Sequence, residues 1–256
     1  MIGQRSRLLL GVAATALLAA CASQAQPAAS PATAHSSAST APAHSSASAT
    51  STSLDGCLPA RSARVLTVKA TGETLPVGVL GTGAVTVVLS EQSDELLCSW
   101  LPFARHLTGR GFQVAVWDFN GDPVTELTAV VAALRAAGHG QIILAGASEG
   151  AKTSLITATR VDPPPLGVLS LSAEADLQGT PVAPAVHRLP CPALLITARG
   201  DLYGAADAAR TFVATAPRGR VQLVTVPGTG HGTALLAGPG SAAVLARIDT
   251  FLAQLR

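Results

Sequence analysis

The chain has 256 residues, a formal charge of +2 at pH 7 and a hydrophobic fraction of 48%, which bounds it to one globular domain with an added tail. Arg5 and Arg7 account for the whole charge excess, since 17 basic residues face 15 acidic ones. The balanced remainder gives no electrostatic footprint for a nucleic acid, and the lysines are only Lys69 and Lys152.

The N-terminus reads as a secretory signal over residues 1–20. Arg5 and Arg7 form a short basic region, and Leu8 to Leu18 form an apolar core too short to span a bilayer as a mature helix. It ends Leu18-Ala19-Ala20-Cys21, which resembles the lipobox of bacterial lipoproteins. That resemblance implies cleavage before Cys21 and lipidation of Cys21, with acyl chains anchoring the protein to the bacterial cell membrane. An ordinary signal peptide with a chance cysteine, giving a secreted protein, is the alternative. Either way the location expected is extracytoplasmic.

Residues 21–53 are rich in Ala, Ser, Thr and Pro and hold a near-repeat that starts at His35 and again at His44. Such a segment has nothing to bury, so a disordered tether is expected. His35 and His44 are too isolated for a metal tract, and no metal or other cofactor is expected anywhere in the chain. Three cysteines remain, Cys57, Cys98 and Cys191. An oxidising location permits a disulfide. Cys57 precedes the first strand, Cys98 opens a helix after the third, and Cys191 starts an apolar strand as a buried thiol. Cys57–Cys98 is the expected pair.

The globular domain is expected over 57–256. Residues 63–70 alternate apolar and polar side chains, as a half-exposed strand does, and 74–80 reads as its hairpin partner after Thr71-Gly72. Residues 85–89 and 113–117 are nearly continuous apolar runs, the mark of strands buried on both faces. A helix over 100–107 separates them. Asp122-Pro123 supplies an N-cap and a first-turn proline for a helix ended by Gly138. A strand over 142–145 leads through Ser148 into a helix to Thr159. Strands follow at 166–171 and 193–197, with no helix expected in 172–190 between them. A helix over 205–214, a strand over 221–226 and a C-terminal amphipathic helix complete the chain. Strands alternating with helices give an α/β fold, a mostly parallel sheet with helices on both faces and an antiparallel hairpin at one edge.

Gly146-Ala147-Ser148-Glu149-Gly150 lies between the strand and the helix. In that context G-x-S-x-G is a nucleophile elbow, with a serine on a tight turn at the head of a helix. The motif is short for a chain rich in Gly and Ser, so a glycine-rich turn with a serine cap is the alternative. Functional groups of open parallel sheets gather at the carboxyl ends of strands. Asp201 follows the strand at 193–197, and His231 follows the last strand. Here the chain resembles the α/β-hydrolase family over nearly all of 63–256, with its order of serine, acid and histidine. The resemblance implies that His231 takes the Ser148 proton, that Asp201 fixes the imidazole, and that an acyl-enzyme forms.

It also implies an oxyanion site. One donor would be the backbone amide of Glu149, and a second would come from the loop after the third strand, at Glu91 or Gln92. Family members often carry His-Gly in that loop, and this chain has Ser90-Glu91-Gln92. Asp176 or Glu174 could hold the histidine instead of Asp201, and His231 could be a loop histidine bonded to backbone. His139 lies at the wrong end of its strand, His106 and His187 read as surface residues, and Asp118 reads as structural. The short 172–190 connection leaves no room for a cap domain, so an open site for small-molecule esters is expected in a monomer. A non-catalytic binding lipoprotein of the same fold is the alternative function.

Overall fold

The computed structural model describes residues 54–59 and 61–256. Cys21, the expected signal sequence and the whole of the expected tether lie outside the described residues. The described chain builds ten strands and six α-helices. In order they are β1 (Arg64–Ala70), β2 (Glu73–Leu80), β3 (Val85–Ser90), α1 (Leu101–Gly109), β4 (Gln113–Trp117), α2 (Pro123–Ala136), β5 (Gln141–Ala147) and α3 (Glu149–Thr157). Then come β6 (Gly167–Leu171), β7 (Asp176–Leu177), β8 (Thr180–Pro181), α4 (Ala183–His187), β9 (Ala193–Ala198), α5 (Ala205–Thr215), β10 (Val221–Val226) and α6 (Ser241–Ala253). Single 3-10 turns precede α1 and α6, at Leu97–Trp100 and Gly232–Leu236.

Eight strands form one sheet in the order β1-β2-β4-β3-β5-β6-β9-β10. From β4 onward every neighbour pair is parallel, while β1 and β2 make the antiparallel edge. The apolar runs explain the layering. Val88, Ala115, Ile142 and Leu144 point to one face, where α2 brings Leu127, Val130 and Leu134 and α5 brings Phe212. Val87, Leu89, Val114, Ile143 and Ala145 point to the other, under Phe103 and Leu107 of α1 and Ile248, Phe251 and Leu252 of α6. Two apolar faces on each central strand demand two helical layers. The described residues form an α/β-hydrolase fold, and among them there is no substantial cap domain.

Local chemistry sets the helix starts. The Asp122 carboxylate accepts a hydrogen bond from the Thr125 amide at 2.7 Å, and Pro123 occupies the first helical position. The Cys57–Cys98 disulfide ties the segment before β1 to the turn before α1. Cys191 is buried at 4% exposure, and burial pushes its thiol up to about 11.

One expectation fails between β6 and β9. The segment contains the β7–β8 hairpin and α4, which buries Ala185 and Val186. Five residues with a proline in the first turn are too few to display helical periodicity in sequence. Packing of that one turn against α5 and α3 makes the helix. No helix among the described residues is long and apolar enough to cross a membrane.

Candidate active site

Parallel pairing fixes where the site lies. Ala147 pairs with Leu171 and Leu171 with Ile196, while β9 and β10 run in register to Ala198 and Val226. The residues just past these ends, Ser148, Glu174, Asp201 and His231, therefore emerge at one edge of the sheet.

Ser148 has φ 48° and ψ −112°, a conformation that L-residues avoid, between the end of β5 and the start of α3. Its amide donates to Leu171 O at 2.8 Å, and its carbonyl accepts from Ala151 and Lys152, so both sides of the turn are pinned. The two motif glycines are sterically required. A Cβ on Gly146 would lie 2.2 Å from the backbone of Gly150, and one on Gly150 would lie 2.2 Å from the Ser90 carbonyl oxygen. The loop after β3 is thus packed directly on the head of α3. Glu149 is the first residue of α3, whose opening amides have no intrahelical acceptor.

Asp201 and His231 meet. His231 Nδ1 lies 2.8 Å from Asp201 Oδ2, and the Asp201 side chain is fully enclosed. Asp201 Oδ1 also accepts the Tyr203 amide at 2.9 Å, which holds the carboxylate in the turn. The Tyr203 ring lies over the imidazole, with centroids 4.4 Å apart.

Glu174 is not on Nδ1. It reaches the other side of the imidazole, with Oε1 3.3 Å from His231 Nε2. The Ser148 hydroxyl donates to that same Oε1 at 2.8 Å. Among the described residues, Ser148 therefore bonds to Glu174 and not to His231. Lys152 Nζ stands 2.9 Å from Glu174 Oε2, an ion pair by distance whose angles are not those of a hydrogen bond. Burial pushes the Glu174 carboxyl up, but the facing His231 ring and Lys152 ammonium and the Lys152 charge outweigh that and hold it at about 2. Burial pulls His231 down, and the two carboxylates, Glu174 and Asp201, more than reverse it, so the imidazole sits above its ordinary value.

The loop after β3 shows a division of labour that its sequence hides. Gln92 Oε1 accepts the Thr233 amide at 2.9 Å, tying this loop to the turn beside His231. The buried Glu91 side chain points away and accepts the Phe119 amide at 2.6 Å. Burial raises the Glu91 carboxyl, and it shares a cluster with Asp118 and Asp55. The hydrogen bond that Asp55 donates to Asp118 raises Asp55 to about 7, and burial raises Asp118 to about 6. Asp118 also accepts the Leu97 amide at 2.6 Å, the structural role expected of it. Glu149 spans the site rim, accepting from Ser93 at 2.5 Å and from Gln178 of the β7–β8 turn at 2.7 Å.

The remaining histidines lie elsewhere. His106 is not a free surface residue as its sequence context reads; it is half-buried and paired with Asp249 of α6 at 2.8 Å. Its partner lies 143 residues away in the chain, beyond the reach of any local pattern. His187 is exposed and bonds the Thr215 carbonyl, and half-buried His139 contacts Arg64. Among the described residues no group of three or more His, Cys, Asp or Glu could hold a metal ion. Sequence reasoning missed the Lys152–Glu174 pair. The available signal was the position of Lys152 one helical turn beyond Ser148, on the same face of α3.

The architecture is shared with solved lipase, esterase and hydrolase structures. A monoacylglycerol lipase from Paleococcus ferrophilus superposes with a TM-score of 0.64 at 15% identity, covering 71% of this chain and 99% of the lipase. A thermophilic esterase from Thermogutta terrifontis gives 0.62 at 15% identity, over 75% of this chain and 99% of its own. A dienelactone hydrolase from Anabaena variabilis gives 0.61 at 18% identity, over 73% and 94%. No family model and no curated protein matches the sequence.

Proposed function

We propose that the protein is an extracytoplasmic serine hydrolase that cleaves carboxylic esters through Ser148, His231 and Asp201. The observation that carries the reading is a strained serine at the head of α3 beside a histidine held by an enclosed aspartate. A serine hydroxyl is a poor nucleophile at neutral pH, so His231 Nε2 takes its proton during attack on the ester carbonyl and returns it to the leaving alcohol. The acyl-enzyme is then hydrolysed by water activated at the same nitrogen. Asp201 keeps Nδ1 protonated and stabilises the imidazolium. The Glu149 amide, with Glu91 or Gln92 from the loop after β3, is assigned to the oxyanion, and loss of one such donor costs about a hundred-fold or more in rate. The esterases and lipase that share the fold act on this bond class and favour the same chemistry here. A lipid at Cys21 would tether the domain to the cell membrane beyond a linker.

Hydrolysis of p-nitrophenyl acetate by wild type, Ser148→Ala and His231→Ala tests this. Activity in the wild type that falls at least about 10³-fold in both variants is expected. Retained turnover in Ser148→Ala would exclude the assignment.

A further inference from the structure

We propose that Glu174, anchored by Lys152, is a positioning residue that occupies the Nε2 side of His231 in the resting site, so that its displacement arms Ser148. This rests on the hydrolase reading and adds how the site is regulated. Both His231 nitrogens face carboxylate oxygens, Nδ1 at 2.8 Å from Asp201 and Nε2 at 3.3 Å from Glu174. An ionised carboxylate only accepts, so the Asp201 bond keeps a proton on Nδ1. The Glu174 charge 3.3 Å from Nε2 favours a second proton there, which makes the resting ring an imidazolium. An imidazolium has no lone pair for a serine proton. The Ser148 hydroxyl accordingly points at Glu174 Oε1, 2.8 Å away, instead of at the base.

Glu174 cannot replace the histidine as base. Held at about 2, it lies more than four units below an ordinary imidazole, and each unit costs about 1.4 kcal/mol of proton affinity. Productive attack therefore needs Oε1 to leave while Nε2 loses its proton to solvent and turns to Ser148. Lys152 provides the pivot. It grips the other oxygen, Oε2, at 2.9 Å, and the two side chains are only 13% and 18% exposed. Rotation about that ion pair frees Oε1 without stranding the charge.

The charged groups that meet at this point come from separate elements. Asp201 approaches from the turn after β9, Glu174 from the turn after β6, and Lys152 from α3. The uncharged Tyr203 ring lies against the imidazole at a tilt of 45°. Glu149, also on α3, is engaged by Ser93 and Gln178. The loop after β3 contributes uncharged Gln92 to the His231 turn. Glu174 and Lys152 thus act on His231 with opposite sign.

The test is an NMR titration of the His231 ring in the full chain, with the resonance assigned by its loss in His231→Gln. Glu174→Gln is expected to lower the His231 pKa by about one unit or more, the range for removing an opposite charge at this distance. Lys152→Met is expected to raise it. The acid limb of kcat/KM for p-nitrophenyl acetate should move with it, so Glu174→Gln gains activity below pH 6.5. Opposite shifts cannot arise from general loosening of the fold. An unchanged His231 pKa in Glu174→Gln, or shifts of the same sign in both variants, overturns the proposal. The titration needs no turnover, so an inert protein showing the opposite shifts would remove the hydrolase reading and leave the clamp standing.

Discussion

The Ser148 hydroxyl donates a hydrogen bond to the Glu174 carboxylate, and on the proposed reading that single bond separates a resting site from a working one. The same scale governs substrate choice. Glu149 places a second carboxylate at the rim, held between Ser93 and Gln178. A negative substrate approaching Ser148 would meet uncompensated charge there, since Lys152 is committed to Glu174. Glu149→Gln is expected to raise kcat/KM for an anionic ester relative to its neutral analogue severalfold, with the difference shrinking at high salt. An unchanged ratio would remove Glu149 from selectivity. That Ser148, Asp201 and His231 emerge at one end of the sheet was legible in sequence, because each follows an apolar strand. Glu174 and Lys152 were not. Which imidazole nitrogen a carboxylate reaches depends on the twist of the sheet between β6 and β9, and spacing along the chain does not encode it.

At the level of elements, the central strands were legible because burial on both faces demands nearly unbroken apolar runs, as in Val85–Ser90 and Gln113–Trp117. The hairpin β7–β8 and helix α4 were hidden, because elements of two to five residues are made by tertiary contacts and show no period. The pairing of Cys57 with Cys98 was anticipated from where each falls relative to β1 and the helix after β3. This bond closes a span of 41 residues, for which loss of chain entropy in the unfolded state gives about 4 kcal/mol. Cys57→Ala with Cys98→Ala should lower the unfolding free energy by about 2–5 kcal/mol in a denaturant titration. The expected loss is global, because Leu54 and Leu58 before β1 pack under Gly78 of β2. A stability change below about 1 kcal/mol would show that the bridge constrains nothing beyond what packing already holds.

Across the whole molecule, the raised carboxyls make stability depend on pH in a defined window. Asp55 at about 7 and Asp118 at about 6 stand above their ordinary value of 3.8, so the folded state binds protons that the unfolded chain releases. Their contribution is complete below pH 4 and is lost as pH rises through 6 to 7. His231, also raised, acts in the same direction, and Glu174, lowered to about 2, has its effect below pH 5. The melting temperature is therefore expected to fall between pH 5 and pH 8. Asp118→Asn, which can still accept the Leu97 amide, should flatten that fall. A wild type equally stable at both pH values would contradict the shared-proton cluster.

The cluster lies at the foot of the loop assigned to the oxyanion, through Glu91, and the disulfide lies beside it through Asp55 and Cys57. Stability and site geometry thus share one corner of the fold. The central claim is that this fold presents Ser148 as an activated nucleophile, and covalent labelling reads that most directly. Incubating the full chain with a fluorophosphonate and mapping the adduct by mass spectrometry should give one modification, on Ser148, abolished in His231→Ala. An adduct on another residue, or none on a folded wild type across pH 6 to 9, would contradict it.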